Sequence, residues 1–256
     1  MRETPTPDGT EPALAMRDVS VSFLAVRALD GVTAVVPTGG ITAVIGPNGA
    51  GKTTLLNCIS GLYRHQGEIE LHGRSLTGLP THRRHGRDLA RTFQTPALLD
   101  ELPAIDNVML GANAVLRGWT AGRGGKRRER EAHDRAAALL ERVGIAPASV
   151  RPVGDLPHGE RRRIEVARAL VTQPRVLLLD EPAAGLDDDE AADLLTVASE
   201  AGSTCVLVEH NMRLVMAVAR HVVVLAAGRV LASGTPEEIS RDPRVLEAYL
   251  GDGAAA

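Results

Sequence analysis

Cysteines, aromatic residues and long apolar runs are all scarce in this chain of 256 residues. Because a disulfide framework or a metal site needs more ligands at closer spacing, we expect Cys58 and Cys205 to be buried free thiols in a reducing compartment. No apolar run reaches the length of a membrane span, and the polar N-terminus lacks the apolar core of a signal peptide. The net charge of −3 gives no general attraction to nucleic acid or acidic lipid. We therefore expect a cytoplasmic protein that acts at a membrane only through a partner.

Glycine is plentiful, and one glycine-rich stretch, GPNGAGKTT at residues 46–54, fits the pattern G-x-x-x-x-G-K-[ST]. It follows the apolar run Ile41–Ile45, which favours a buried strand, and it leads into the helical run TTLLNCIS. Such a loop points successive N–H groups at an anion, and the helix adds the positive end of its dipole. The pattern predicts that Lys52 reaches the outer phosphates of a nucleotide and that the Thr53 hydroxyl binds Mg²⁺. The predicted nucleotide-binding residues are Gly46, Pro47, Asn48, Gly49, Ala50, Gly51, Lys52, Thr53 and Thr54.

Composition and periodicity divide the chain into segments. Residues 1–12 are rich in Pro, Thr and acids and are expected to form a disordered leader, and residues 252–256 a short tail. Residues 13–251 are expected to form one domain. Alternation of apolar and polar residues over 13–36 predicts antiparallel strands. From about residue 95 to about residue 172 the pattern changes to helix, which predicts an inserted helical subdomain.

Two apolar stripes and two basic stretches occur in and before this helical region. The stripes have helical spacing, and Gly144 stands where the second helix is expected to end. The basic stretch THRRHGR at residues 81–87 and the glycine-rich stretch at residues 117–130 are both expected to be solvated loops. The stripes comprise Ile105, Val108, Met109 and Ala112, and then Ala132, Ala136, Leu139, Leu140 and Val143.

The segments RVLLLDEP (residues 175–182) and TCVLVEH (residues 204–210) are too apolar for an exposed sheet edge and predict central parallel strands. Parallel strands with helices on both faces bind ligands at the carboxyl ends of the strands. Gly46, Asp180 and His210 are all expected at such ends. Their arrival from distant parts of the chain indicates a functional site.

Two adjacent acids close the strand LLLDEP. Asp180 is placed to join Thr53 in binding Mg²⁺, and Glu181 is placed to polarise the water that attacks the terminal phosphate. The alternative is that the pair caps a helix. Adjacent acids at the end of a buried strand favour the functional interpretation.

The ordered motifs GPNGAGKT, RTFQ, LPHGE, LLLDEP, AGLD and VEH resemble those of the ATP-binding subunits of ABC transporters. The resemblance covers residues 13–251. The runs ERRRIEVARAL and LVEHNMRLVM and the ending GTPEEI…AYLG look most like the branched-chain amino acid importer branch. It implies the ABC ATPase fold, an α/β phosphate-loop NTPase core with a parallel sheet, an antiparallel β edge subdomain and an inserted helical subdomain. It implies ATP and Mg²⁺ as cofactors and hydrolysis of ATP coupled to transport.

The resemblance also assigns roles to single residues. It implies that Phe23 stacks on adenine, although packing in the core is the alternative for a lone Phe. Gln94 would touch Mg²⁺ or the attacking water and link the site to the membrane subunit. Glu181 would be the general base, His210 would contact the γ-phosphate, and Asp187 would communicate across a dimer interface.

The signature segment LPHGE departs from the family pattern, which has Ser at the second position and usually Gly and Gln at the third and fifth. Pro157 offers neither a hydroxyl nor an N–H, so up to two phosphate donors are lost. His158 can replace part of this only as a donor when protonated, and Glu160 repels phosphate. The residues expected at the signature and the dimer interface are Leu156, Pro157, His158, Gly159, Glu160 and Asp187.

This departure predicts a non-identical second ATPase subunit in preference to a homodimer. The other expected partners are membrane permease subunits on the inner face of the cell membrane and, indirectly, a solute-binding protein, with no role for nucleic acid. Three alternatives remain: a soluble ABC ATPase acting on nucleic acid or ribosomes, a nucleotide-binding subunit that hydrolyses poorly, and, last, a phosphate-loop kinase. The transported solute is not encoded in this chain, because substrate contacts belong to the partners.

Overall fold

A computed structural model describes residues 11–85, 88–94, 97–116 and 125–250 of the chain. The chain forms two compact units, one of Met1–Leu89 with Thr204–Ala256 and one of Ala90–Ser203. Most of the expected leader, the tail at 252–256 and residues 117–124 of the expected glycine-rich loop lie outside the described residues.

The helices and strands follow one another in an order that alternates strand and helix over most of the chain. They are β1 (Leu14–Phe23), β2 (Val26–Val36), β3 (Ile41–Ile45), α1 (Lys52–Ser60), β4 (Gln66–Leu71), β5 (Arg74–Ser75), α2 (Thr81–His85), β6 (Leu89–Arg91), α3 (Ala104–Leu116), α4 (Gly125–Arg142), α5 (His158–Leu170), β7 (Val176–Asp180), α6 (Asp188–Glu200), β8 (Thr204–Val208), α7 (Met212–Val218), β9 (His221–Ala226), β10 (Arg229–Gly234), α8 (Pro236–Arg241) and α9 (Pro243–Leu250). A short 3-10 helix, Val153–Asp155, precedes α5.

The first unit contains an antiparallel sheet in the order β2-β1-β4-β5. β1 pairs antiparallel with both β2 and β4, and each pairing contains register shifts. Residues of β1 alternate between buried and exposed along part of the strand, as expected for a sheet with one solvated face. The antiparallel strands predicted from residue 13 to residue 36 are confirmed.

A second sheet in the same unit carries the phosphate-binding segment. β3 pairs parallel with β8 on one side and with β9 on the other, and β9 pairs antiparallel with β10. Every residue of β3 and β8 is buried, because apolar side chains are covered on both faces. Residues from α7, α8 and α9 pack with β3 and β9 in one core cluster. It consists of Ala43, Ile45, Val215, Val222, Val224, Ala232, Ile239 and Val245.

Helix α8 begins at a capping box formed by Thr235 and Glu238. The Thr235 hydroxyl accepts from the Glu238 N–H at 3.3 Å, and the Glu238 carboxylate accepts from the Thr235 N–H at 2.8 Å. Pro236 occupies the first turn, where its missing N–H costs no helical bond. These three residues were predicted from the sequence TPEE to start a helix, and the structure confirms it.

The second unit combines buried strand β7 with helices α3 to α6. All five residues of β7 are buried, and the N–H of Thr92, just after β6, donates to the Leu178 carbonyl at 2.9 Å. The helices predicted from the two apolar stripes are present as α3 and α4, and Gly144 follows α4 with a φ of 75°. The fold class predicted from the sequence is therefore confirmed. The boundaries of the inserted helical subdomain stay a prediction.

The predicted solvated loop at residues 81–87 is wrong in its described part, because α2 occupies residues 81–85 and Arg84 is buried. The Arg84 guanidinium donates to the carbonyls of Cys58 at 2.5 Å, Ile59 at 2.8 Å and Leu79 at 2.9 Å. Two of these carbonyls belong to the last turn of α1, where helical partners run out. Arg84 thus caps the helix that begins at the phosphate loop. Both cysteines are buried and free, as expected, and burial raises the pKa of each thiol to about 12.

Replacing Arg84 with Met is expected to lower the free energy of unfolding by about 1–3 kcal/mol, since buried carbonyls lose a charged donor. The matched control is Arg83→Met, which changes an exposed residue of the same helix and should alter stability by less than about 0.5 kcal/mol. Urea unfolding followed by circular dichroism measures both. Equal losses for the two variants would show that Arg84 does not cap α1.

Candidate functional site

The loop between β3 and α1 bends back on itself around the side chain of Lys52. Its ammonium group donates to the carbonyls of Gly46 at 2.6 Å and Pro47 at 3.0 Å. Asn48 and Thr53 are exposed, whereas Ala50 is buried beneath the loop. The structure therefore places a lysine and a hydroxyl at the N-terminus of a helix, as the loop pattern predicts for phosphate binding.

Two glycines of this loop have no room for a side chain. A Cβ on Gly46, whose φ is 148°, would lie 2.0 Å from the Leu225 carbonyl oxygen. A Cβ on Gly51, whose φ is 102°, would lie 2.7 Å from the Ala28 carbonyl oxygen. Gly49 also has a positive φ, 77°, but a Cβ there would meet nothing within 4 Å. The shape of the loop thus depends on close backbone packing at its two ends.

His210 leaves the sheet beside the phosphate loop. Val44 of β3 pairs in register with Val208 of the parallel strand β8, so Gly46 and His210 each follow two residues later at the same edge. The His210 side chain is 75% exposed, and its backbone N–H donates to the buried Glu209 carboxylate at 3.1 Å. The arrangement brings His210 and the loop to one edge of the sheet, as predicted within this unit.

Phe23 closes β1 and remains 43% exposed, so it is not a core residue. Its ring meets that of Tyr63 edge-on, with centroids 5.1 Å apart and an interplanar angle of 73°. An edge contact leaves the face of the Phe23 ring available for a further aromatic group. Stacking of adenine on Phe23 stays a prediction.

Asp180 ends β7 in the second unit and is 2% exposed. One carboxylate oxygen, Oδ2, accepts from the Arg91 guanidinium at 2.9 Å. The other, Oδ1, is buried without a hydrogen-bond partner among the residues that the structure describes. Burial raises the pKa of this carboxyl, while the hydrogen bond from Arg91 opposes the shift. A buried carboxylate oxygen left in this state fits a Mg²⁺ ligand, because Mg²⁺ binds through carboxylate oxygens and waters.

Gln94 and Glu181 are brought together by the second unit, although 87 residues separate them. The Gln94 amide nitrogen Nε2 donates to Glu181 Oε2 at 3.1 Å. Glu181 has a φ of 50°, a left-handed backbone conformation that is costly for a residue other than glycine. The side chain following β7 is therefore both strained at its backbone and held at its carboxylate.

The signature segment forms the start of α5. Pro157 is the residue before the first helical position, and no side chain caps the helix there. The His158 ring nitrogen Nδ1 lies 3.1 Å from the Ala184 carbonyl oxygen, and Glu160 is half-buried. A Cβ on the buried Gly159 would lie 2.7 Å from Leu186 and 2.9 Å from the Gly185 carbonyl oxygen. Leu156, also half-buried, helps to line a cavity of about 440 Å³ beside these residues.

Asp187 has a local structural role in addition to the predicted one. Its carboxylate accepts from the Glu190 N–H at 2.8 Å, and the Glu190 carboxylate accepts from the Asp187 N–H at 3.2 Å. This capping box starts α6. Communication of Asp187 across a dimer interface stays a prediction.

Comparison with known proteins identifies the family. A sequence profile described as ABC transporter matches residues 29–184, and one described as branched-chain amino acid ATP-binding cassette transporter matches residues 229–255. The chain belongs to the ABC transporter family. It is an ATP-binding subunit, and it is therefore an ATPase.

Relatives and solved structures align with nearly the whole ABC subunit. It is 40% identical to the high-affinity branched-chain amino acid transport ATP-binding protein BraF of Pseudomonas aeruginosa, over 95% of this chain and 99% of the relative. It is 38% identical to the protein LivG of the same description from Escherichia coli, with the same coverage. An ATP-binding cassette solved in its ADP conformation has a TM-score of 0.80 and 29% identity, over 94% of this chain and 100% of that one. A nucleotide-free cassette has a TM-score of 0.79 and 29% identity, over 93% and 98%.

In the described part of the ABC subunit, no helix combines the length and the apolar character needed to cross a membrane.

Sequence reasoning missed several residues that contact the predicted site. Tyr249 of α9 packs against the core cluster of the first unit and hydrogen-bonds the backbone of Gly46. Arg91 pairs with Asp180, while Arg162 and Glu165 lie buried against the segment that carries Gln94. The ending AYLG and the run ERRRIEVARAL contained these residues, but a local pattern does not show which polar side chains turn inward.

Gly46→Ala is expected to reduce ATP affinity of the ABC subunit at least tenfold, because the new methyl group would force the loop away from Leu225. Gly49→Ala carries a similar backbone strain without the clash and should cost less. Titration with a fluorescent ATP analogue measures both affinities. The same loss at both positions would mean that backbone strain alone, and not packing at Leu225, sets the loop.

Proposed function

We propose that this ATPase drives the import of branched-chain amino acids through membrane permease subunits. The observation that carries the proposal is the match of residues 229–255 to the branched-chain amino acid transporter profile, outside the part shared with ABC transporters in general. Relatives that carry this transport activity in their names align with 95% of the chain.

In this function the phosphate loop binds the nucleotide. Lys52 exchanges the carbonyls of Gly46 and Pro47 for the outer phosphates, and the exposed Thr53 hydroxyl serves as a metal ligand with Asp180. Bound Mg²⁺ neutralises charge on the phosphates. The buried oxygen Oδ1 of Asp180 supports this assignment.

Glu181 serves as the general base that takes a proton from the attacking water. Gln94 orients its carboxylate, and the 3.1 Å contact between their side chains supports this pairing. The exposed His210 contacts the γ-phosphate, and Phe23 stacks on adenine.

A second ATPase subunit completes each nucleotide site, and a non-identical partner is favoured. The signature at α5 lacks a capping side chain, and Pro157 has no N–H to offer a phosphate. With Nδ1 of His158 donating to the Ala184 carbonyl, a neutral ring has only an acceptor left at Nε2. This chain's phosphate loop facing a partner's signature would then be the stronger of the two sites. The assembly would lie on the inner face of the membrane and receive its solute from a solute-binding protein.

Glu181→Gln is expected to abolish uptake of radiolabelled leucine in cells where it replaces the wild-type chain, because an amide cannot accept the proton. ATP affinity of the purified variant should be unchanged, since the phosphate loop is intact. Uptake assays and equilibrium nucleotide binding measure the two effects.

Asp193→Asn is the matched control, because it removes a carboxylate from the outer part of α6 and should leave uptake unchanged. Normal leucine uptake in the Glu181→Gln cells would contradict the transport function or the role of the base. Loss of ATP binding would instead make Glu181 structural.

Pro157→Ser is expected to raise ATP hydrolysis by the isolated chain about tenfold or more, because it restores a hydroxyl and an N–H as phosphate donors. Steady-state phosphate release measures the rate. Pro157→Ala restores only the N–H and should give a smaller gain.

A serine also caps α5, so unfolding of both variants should be measured beside activity. If the wild-type chain alone already hydrolyses ATP as fast as Pro157→Ser, the preference for a non-identical partner is wrong.

A further inference from the structure

Helix α5 buries two opposite charges one turn apart. Arg162 is 2% exposed and Glu165 is 1% exposed, and Arg162 Nη1 lies 3.0 Å from Glu165 Oε2. Burial of two charges is costly, and a single ion pair does not offset it unless further hydrogen bonds satisfy both groups. Burial accordingly raises the pKa of the Glu165 carboxyl, although the Phe93 N–H and the Arg162 charge oppose the shift.

The remaining hydrogen bonds of this pair go to the backbone of two consecutive residues. Glu165 Oε1 accepts from the Phe93 N–H at 2.9 Å, and Arg162 Nη1 donates to the Phe93 carbonyl at 2.5 Å. Arg162 Nη2 donates to the Gln94 carbonyl. One helix thus grips both sides of the peptide that joins Phe93 to Gln94.

The preceding residues are tied to a different element. Thr92 donates its N–H to Leu178 of β7, and its hydroxyl accepts from the Asp180 N–H at 3.3 Å. The chain therefore passes from strand control to helix control between Thr92 and Phe93. The backbone conformation at Gln94 then depends on where α5 lies.

Gln94 converts this backbone position into a side-chain position, because its amide contacts the Glu181 carboxylate at 3.1 Å. A shift of its backbone would change that contact, and small displacements of catalytic groups have large effects on rate. Only the Gln94 residue separates the buried ion pair from the proposed base.

We propose that Arg162 and Glu165 are positioning residues, which hold the Phe93–Gln94 backbone so that Gln94 orients Glu181 for hydrolysis. The inference rests on the proposed role of Glu181 as general base. Since α5 begins with the signature residues, the helix that presents the signature also fixes Gln94.

The test compares kcat and ATP affinity of Arg162→Met in the complex that the tagged full-length chain forms in its host. We expect kcat to fall roughly ten- to a hundredfold. Affinity for a fluorescent ATP analogue should stay unchanged, because the phosphate loop is intact. Glu165→Gln keeps an oxygen acceptor for the Phe93 N–H and should lose less activity than Glu165→Leu.

A double-mutant cycle separates positioning from a general structural role. If Arg162 acts through Gln94, Arg162→Met adds no further loss of kcat in a Gln94→Ala background. Multiplicative losses would overturn the inference. Should Arg162→Met fail to fold, Arg162→Lys, which keeps the charge but loses the two-pronged geometry, takes its place in the same cycle.

The matched control is Arg161→Lys on the same helix, whose partly exposed pair with Asp100 at 2.6 Å is not part of this network. Its kcat should equal that of the wild type, and an equal fall would overturn the inference. Glu181→Gln distinguishes the two levels of the argument. Hydrolysis that survives in Glu181→Gln refutes the proposed base, whereas hydrolysis lost there with multiplicative losses in the cycle refutes only the positioning pair.

Discussion

A carboxylate that is withdrawn from water needs a positive partner, and Asp180 has one in Arg91 at 2.9 Å. Arg91 engages one oxygen and leaves Oδ1 without a partner among the described residues. An arginine can do this because its planar fork places a donor at one defined point, whereas an ammonium has no fixed direction. The pair thus permits a buried acid at the end of β7 and directs its second oxygen to other chemistry.

The same solution recurs wherever the subunit buries charge, and in each case the arginine organises backbone. Arg84 closes the end of α1, and Arg162 with Glu165 holds the peptide before Gln94. Carbonyl groups that would otherwise be buried without partners become the ligands of a guanidinium. These contacts fix the two elements with the most chemistry, the helix behind the phosphate loop and the segment that reaches Glu181.

Features fixed by neighbouring residues could be predicted from the sequence. The phosphate loop, the buried strand before Asp180 and the capping box at Thr235 each depend on a few adjacent positions, and the structure contains all three. The buried arginines could not be predicted. Arg161, Arg162 and Arg163 are consecutive, and only Arg162 turns fully inward, because the backbone it meets comes from residues far away in sequence. Arg84 was assigned to a solvated loop for the same reason.

The signature segment separates two properties that usually occur together. Its packing is intact, because Gly159 fits closely against Gly185 and Leu186 and leaves no space for a Cβ. Its donors are reduced, because Pro157 has no N–H and His158 is engaged with the Ala184 carbonyl. A segment that had simply lost its function would have no reason to keep the tight backbone approach. Retained shape with few donors is what a subunit needs if it must still close against a partner while the stronger phosphate contacts come from that partner's signature.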